Sequence, residues 1–257
     1  MAIWTTFIHA DDYPFDPAGV KKNWKRLHAG DQEPLPKDKN VLAAWALFHS
    51  GQFQEAVETG LKAGAAGTTV ANKAACIYAN YLEPNEKTKL TLFMQVAERA
   101  ASQASAEPDN ANAYYWQGYA LSRYSQGISV AKALAQGIGR KVKSAMETSI
   151  RLQPRHADAH IGLGAFHAEV IDKVGALIGN MTYGAKKETS LKLFQQGLNL
   201  TPASTVALIE YANALVMLEG DKGLDEATRL YEQVARAQAM DAMERLDIEM
   251  AQAELAN

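Results

Sequence analysis

Apolar positions recur every three or four residues along most of the chain. In "VKSAMETSIRLQP", Val142, Ala145, Met146, Ile150 and Leu152 fall on one stripe, and in "TSLKLFQQGLNLTP" Leu191, Phe194, Leu198 and Leu200 do the same. That spacing follows the helical turn, so each segment predicts an amphipathic helix with one buried face. "AYYWQGYALSRY" and "DAHIGLGAFHAEV" predict a partner helix ahead of each. No stretch alternates with the two-residue period of a half-buried strand, and Ala-rich segments favour helix. The predicted fold class is all-α.

Between the helices the punctuation repeats. "EPDNANA", "QPRHADA" and "TPASTVA" place Pro108, Pro154 and Pro202 at intervals of 46 and 48 residues. A regular interval of this size is the mark of stacked structural repeats. The segment "HSGQFQEAVETGLKAG" (49–64) sets Gly51 at a turn and Phe53 and Ala56 on the next helix; "YEQVARAQAM" (231–240), after Ala227, has the same form. Gly118 and Gly164 take the small-residue position of a first helix. On these residues the chain resembles the tetratricopeptide repeat (TPR) family over 38–240. The resemblance implies a right-handed solenoid of about five helical hairpins.

A standard TPR unit has about 34 residues. The two central units are longer, with the surplus near 125–139 ("SQGISVAKALAQGIG") and 170–184 ("VIDKVGALIGNMTYG"). Residues 1–37 differ from the repeats: "FDPAGVKKNWKRLHAG" predicts a short helix capped by Asp16 with Pro17 in its first turn. Trp4, Phe7, Tyr13 and Phe15 predict an arm packed on the solenoid. From Asp241 to the end, 241–257 predict a capping helix with Met243, Leu246 and Met250 inward.

Composition narrows the function classes. A formal charge of −3, without a long basic run, gives no reason to expect nucleic-acid binding. Cys76 is the lone cysteine, which excludes an intramolecular disulfide and a cysteine-based metal cluster. The start "MAIWTTFIHADDYPFDPAG" lacks the basic and apolar segments of a signal peptide. No apolar run approaches the ~20 residues of a membrane span. A cytoplasmic protein is therefore expected, or a periplasmic one if an export signal has been removed.

Three histidines, His156, His160 and His167, crowd "RHADAHIGLGAFHAE". His156 and His160 have the four-residue spacing of helical zinc ligands, which would make a metal-dependent hydrolase. The glutamate of HExxH is missing, however, and in the repeat register His160 and His167 occupy packing positions. The expectation is structural packing, with no metal and no cofactor. "GNMTYGAKK" (179–187) misses the phosphate-loop pattern: Ala185 intrudes before Lys186, and Lys187 stands where a hydroxyl is required. No serine elbow, Cys/His pair or carboxylate dyad supports catalysis, so a non-enzymatic protein is expected.

The TPR resemblance assigns partner binding to the concave groove. Carried onto this sequence, it marks Tyr115, Tyr119, Ser122, Arg123, Ile161, Ala165, Glu169, Ile209, Asn213 and Met217. These differ from the lysines and asparagines with which such repeats hold chaperone tails. They suit a peptide or amphipathic helix of another protein. Arg140, Lys141, Lys143, Lys186 and Lys187 form a candidate ledge for an anion or acidic partner. An alternative is a small apolar ligand in a pocket formed by the groove and the two inserts. That alternative follows a looser similarity, over 107–240, to TPR subunits associated with TRAP transporters.

Overall fold

The structure, a computed structural model, describes residues 4–256. Among the described residues every regular element is helical, and none is long and apolar enough to cross a membrane. The chain divides into two compact units. The first holds 4–28, Gln32–Leu152 and Met240–Met243; the second holds Ala29–Asp31, Gln153–Ala239 and 244–256.

The first unit contains α1 (Pro17–Leu27), α2 (Lys39–His49), α3 (Phe53–Lys62), α4 (Thr68–Tyr81), α5 (Glu86–Ala106), α6 (Ala111–Gln126), α7 (Val130–Ala135) and α8 (Ile138–Leu152). α2 packs on α3, α4 on α5, and α6 on α8, with the short α7 lying in the connection. Side chains at the entries explain why these helices start where they do. Asp16, Asp38, Asn85, Asn110 and Ser129 each accept a hydrogen bond from a backbone N–H of the first turn. Each such cap is worth about 1 kcal/mol.

α4 is the centre of this unit. Every residue from Thr69 to Ala79 is buried, because α2, α3, α5 and α6 all pack around it. Its alanines let those helices approach closely. Two of its polar side chains are bonded by α5: Arg99 Nε donates to Asn72 Oδ1 at 2.6 Å, and Gln103 Nε2 donates to Thr69 Oγ1 at 3.0 Å. Burial lowers the Arg99 pKa from its ordinary value, so this guanidinium depends on the partners α4 supplies.

The second unit contains α9 (Ala157–Val174), α10 (Ala176–Tyr183), α11 (Lys187–Leu200), α12 (Thr205–Glu219), α13 (Leu224–Ala235) and most of α14 (Ala242–Leu255). α9 packs on α11 and α12, α12 on α13, and α10 on α9. A Cβ on Gly164 of α9 would stand 3.0 Å from the Phe194 ring, and Ser190 Oγ donates to the Gly164 carbonyl at 2.7 Å. The equivalent glycine of the first unit, Gly118, would meet Met146 at 3.0 Å. Both are the small residues that the repeat register requires.

One boundary differs from the sequence reading. α13 stops at Ala235, and residues 236–240 lie outside it, since "RAQAM" offers no stripe to continue the buried face. On α14 Leu246 is buried as expected, together with Ala242, Asp247, Ile248 and Ala251; the half-buried Met250 packs against the core of α12 and α13, and Met243 is half-buried. The buried Asp247 carboxylate is satisfied on this face by Thr205, whose Oγ1 donates to Asp247 Oδ2 at 2.6 Å.

Candidate functional site

On α6 the side chains singled out by the repeat register follow one another along the helix. Tyr115 is buried, with its ring edge-on to Trp116 at 4.9 Å. Tyr119, Ser122 and Arg123 are half-exposed. The Arg123 guanidinium lies over the Tyr119 ring, 5.2 Å from its centroid, and Nη1 donates to Gln126 Oε1 at 3.3 Å. At that distance the cation and the ring face attract one another. The result is an aromatic and cationic platform on one helix of the first unit.

The second-unit residues fall differently. Ile161 is buried where a Cβ on Gly197 would come within 2.5 Å of its Cδ1, and Ile209 is 1% exposed. Ala165 and Met217 pack partly against the Ile161–Phe194 cluster. Asn213 accepts a hydrogen bond from the Tyr231 hydroxyl, and Glu169 is half-buried. Ala165, Glu169, Asn213 and Met217 are thus half-exposed, with Ile161 and Ile209 beneath the surface as core. A concavity of about 370 Å³ lies elsewhere, along α11, lined by Glu188, Thr189, Lys192, Leu193 and Gln196. None of the register-derived residues lines it.

The basic residues are unequal. Arg140 and Lys141 are exposed near the start of α8, while Lys143 pairs with Glu147 at 3.7 Å. Lys186, the residue before α11, is exposed, and Lys187 pairs with Glu219 at 2.6 Å. In the inserts, α7 and α10 expose apolar side chains, among them Leu134, Leu177, Ile178 and Met181.

Each of the three clustered histidines serves a different backbone group. His156 caps α9, its Nδ1 accepting from the Ala159 N–H at 3.1 Å. His160 Nε2 lies 3.1 Å from the Pro154 carbonyl oxygen. His167 Nδ1 accepts from the Lys186 N–H at 3.2 Å, tying α9 to the entry of α11. Among the described residues no three His, Cys, Asp or Glu side chains come together as a metal site.

A polar cluster that the sequence did not reveal lies in the first unit. His49, the last residue of α2, places Nδ1 2.7 Å from Asp241 Oδ2 and Nε2 3.4 Å from His28 Nε2. The two facing nitrogens require one N–H and one lone pair, so the pair shares a single proton at that contact. Trp24 stacks on His28 at 4.0 Å, and Trp45 and Phe48 complete the wall. A carboxylate orienting a histidine is a common catalytic arrangement, but His28, His49 and Asp241 are all buried, out of reach of a substrate. Nearby, the buried Lys73 places Nζ 5.3 Å from the Phe48 centroid and 5.7 Å from that of Trp45. Tryptophans one turn from a histidine were the available signal for His28 and His49. Asp241 had none, because 192 residues separate it from His49.

No protein-family model matches the chain, and no curated protein matches it. Among solved structures it is similar to the crystal structure of a thermophilic TPR protein of Thermus thermophilus, at 15% identity and a TM-score of 0.59. The match covers 83% of this chain and 97% of that one. The chain therefore has a TPR-like helical-repeat fold.

Proposed function

We propose that the chain is a non-enzymatic interaction adaptor, binding a peptide or amphipathic helix of another protein on its repeat surface. In this reading 38–240 carry the repeats, 1–37 form an arm and 241–257 a cap. The observation that carries it is the Arg123–Tyr119 platform on α6, half-exposed and beside Ser122. Tyrosine offers large contact area with few rotamers to freeze, and tyrosine and arginine are both enriched among the residues that dominate protein interfaces. The guanidinium selects an acidic or carbonyl-rich segment. The exposed Arg140 and Lys141, in the same unit, favour an acidic partner too.

The test compares affinity capture from the native organism by wild type and by Tyr119→Ala/Arg123→Glu. The expected result is a partner retained by wild type and lost by the variant, with affinity reduced about tenfold or more. Equal capture by a correctly folded variant overturns the assignment to α6.

A further inference from the structure

The segment before α1 is held as a ligand is held. The Trp4 indole stacks on the Tyr78 ring, with centroids 4.0 Å apart and planes within 15°. The Trp4 main-chain N–H donates to Gln54 Oε1 at 3.0 Å, and the Thr5 main-chain N–H donates to the Tyr78 hydroxyl oxygen at 3.1 Å. Both acceptors are set from behind. Gln54 Nε2 donates to Glu58 Oε1 at 3.2 Å, and the Tyr78 hydroxyl donates to Glu83 Oε2 at 2.9 Å. Each acceptor atom is thereby turned toward the segment.

Phe7 fills the second pocket. It is 3% exposed, lies 6.3 Å from the Phe53 ring, and presses on Gly51, where a Cβ would come within 2.2 Å. Thr5, Thr6 and Ile8 are exposed, Ile8 by 84%. Two aromatic anchors three residues apart, with main-chain N–H groups bound by side chains, define a seat for an extended peptide. The seat belongs to α3, α4 and the α2–α3 turn. It shares no residue with the α6 platform, so its fate is independent of the adaptor reading.

We infer that residues 4–8 are a displaceable occupant of this seat, which also accepts the same Trp-x-x-Phe segment from a second copy of the chain. The second copy is favoured because it carries the one sequence already seen to fit both pockets. Tethering gives the chain's own segment a local concentration of about millimolar, which masks the seat from weaker occupants in trans. Weakening the anchors opens it.

The experiment titrates a fluorescein-labelled peptide, WTTFIHADDYPF (residues 4–15), with full-length chain and follows anisotropy. Saturable binding is expected to Trp4→Ala/Phe7→Ala, at least tenfold tighter than to wild type. A control peptide with alanine at both aromatic positions should not bind. Unlabelled full-length wild type, whose arm carries both aromatics, should displace the bound peptide at high concentration. Circular dichroism checks the fold; if that variant does not fold, Trp4→Ala/Thr5→Pro keeps Phe7 and removes the Thr5 N–H. Absence of saturable binding to a folded variant overturns the seat. Equal binding to wild type overturns its occupancy in cis. Failure of full-length wild type to displace the peptide overturns exchange between copies.

Discussion

Cys76 is wholly buried in α4, and burial pushes its thiol far above the ordinary range against the opposing pull of Arg99 and Arg123. A thiol kept protonated does not react as a nucleophile. Native protein at pH 8 should therefore show no reaction with a disulfide reagent over minutes, and one equivalent should react in denaturant. Tyr231 is pushed up to about 12, by burial first and then by Glu254 and Glu210. Its neutral form is favoured in the folded state, so its contribution is complete below pH 10. It is lost as pH rises from 10 through about 12, and urea midpoints should fall across that interval. Gly51 sits at φ +81° against Phe7, so Gly51→Ala should cost about 3 kcal/mol in urea unfolding. Gly51 was readable as a turn because its neighbours Phe53 and Ala56 fix the register. His156 was less readable: capping and metal ligation use the same nitrogen, and only the Ala159 N–H distinguishes them.

At the scale of elements, legibility followed the stripe. α8 and α11 have one buried face, and their three-to-four spacing announced it. α4 has no such stripe, since it is buried on all sides, and periodicity has nothing to report for a helix without a wet face. Its polar contacts with α5 were equally hidden, as they join residues about thirty positions apart. They make a specific demand on stability. Asn72→Ala removes one acceptor of the half-buried Arg99 guanidinium, leaving the Ala71 carbonyl, and should cost about 1 to 2 kcal/mol, read from the urea midpoint at constant m-value. The inserts show the opposite limit: their apolar residues were visible in the sequence, whereas the exposure of Leu177, Ile178 and Met181 is set by what surrounds α10.

For the whole molecule, the proline intervals and small-residue positions made the TPR-like architecture legible, because a repeat states its packing rule several times. The contact between His49 and Asp241 is stated once, and no local pattern marks it. Removing the carboxylate leaves a buried histidine pair without its acceptor. Asp241→Ala should cost about 3 kcal/mol, and Asp241→Asn, which keeps a hydrogen-bonding oxygen, should cost less. Denaturant titration of the two variants against wild type separates hydrogen bonding from charge.

The same contact orders events during synthesis. The first unit recruits Met240–Met243, yet the ribosome must first make Gln153–Ala239. At roughly 5 to 20 residues per second, those roughly 90 residues take on the order of 5 to 20 seconds. For that time the nascent chain has His49 in place without the Asp241 carboxylate that bonds it. Newly made protein therefore passes through an interval in which its oldest part is the part still waiting to close.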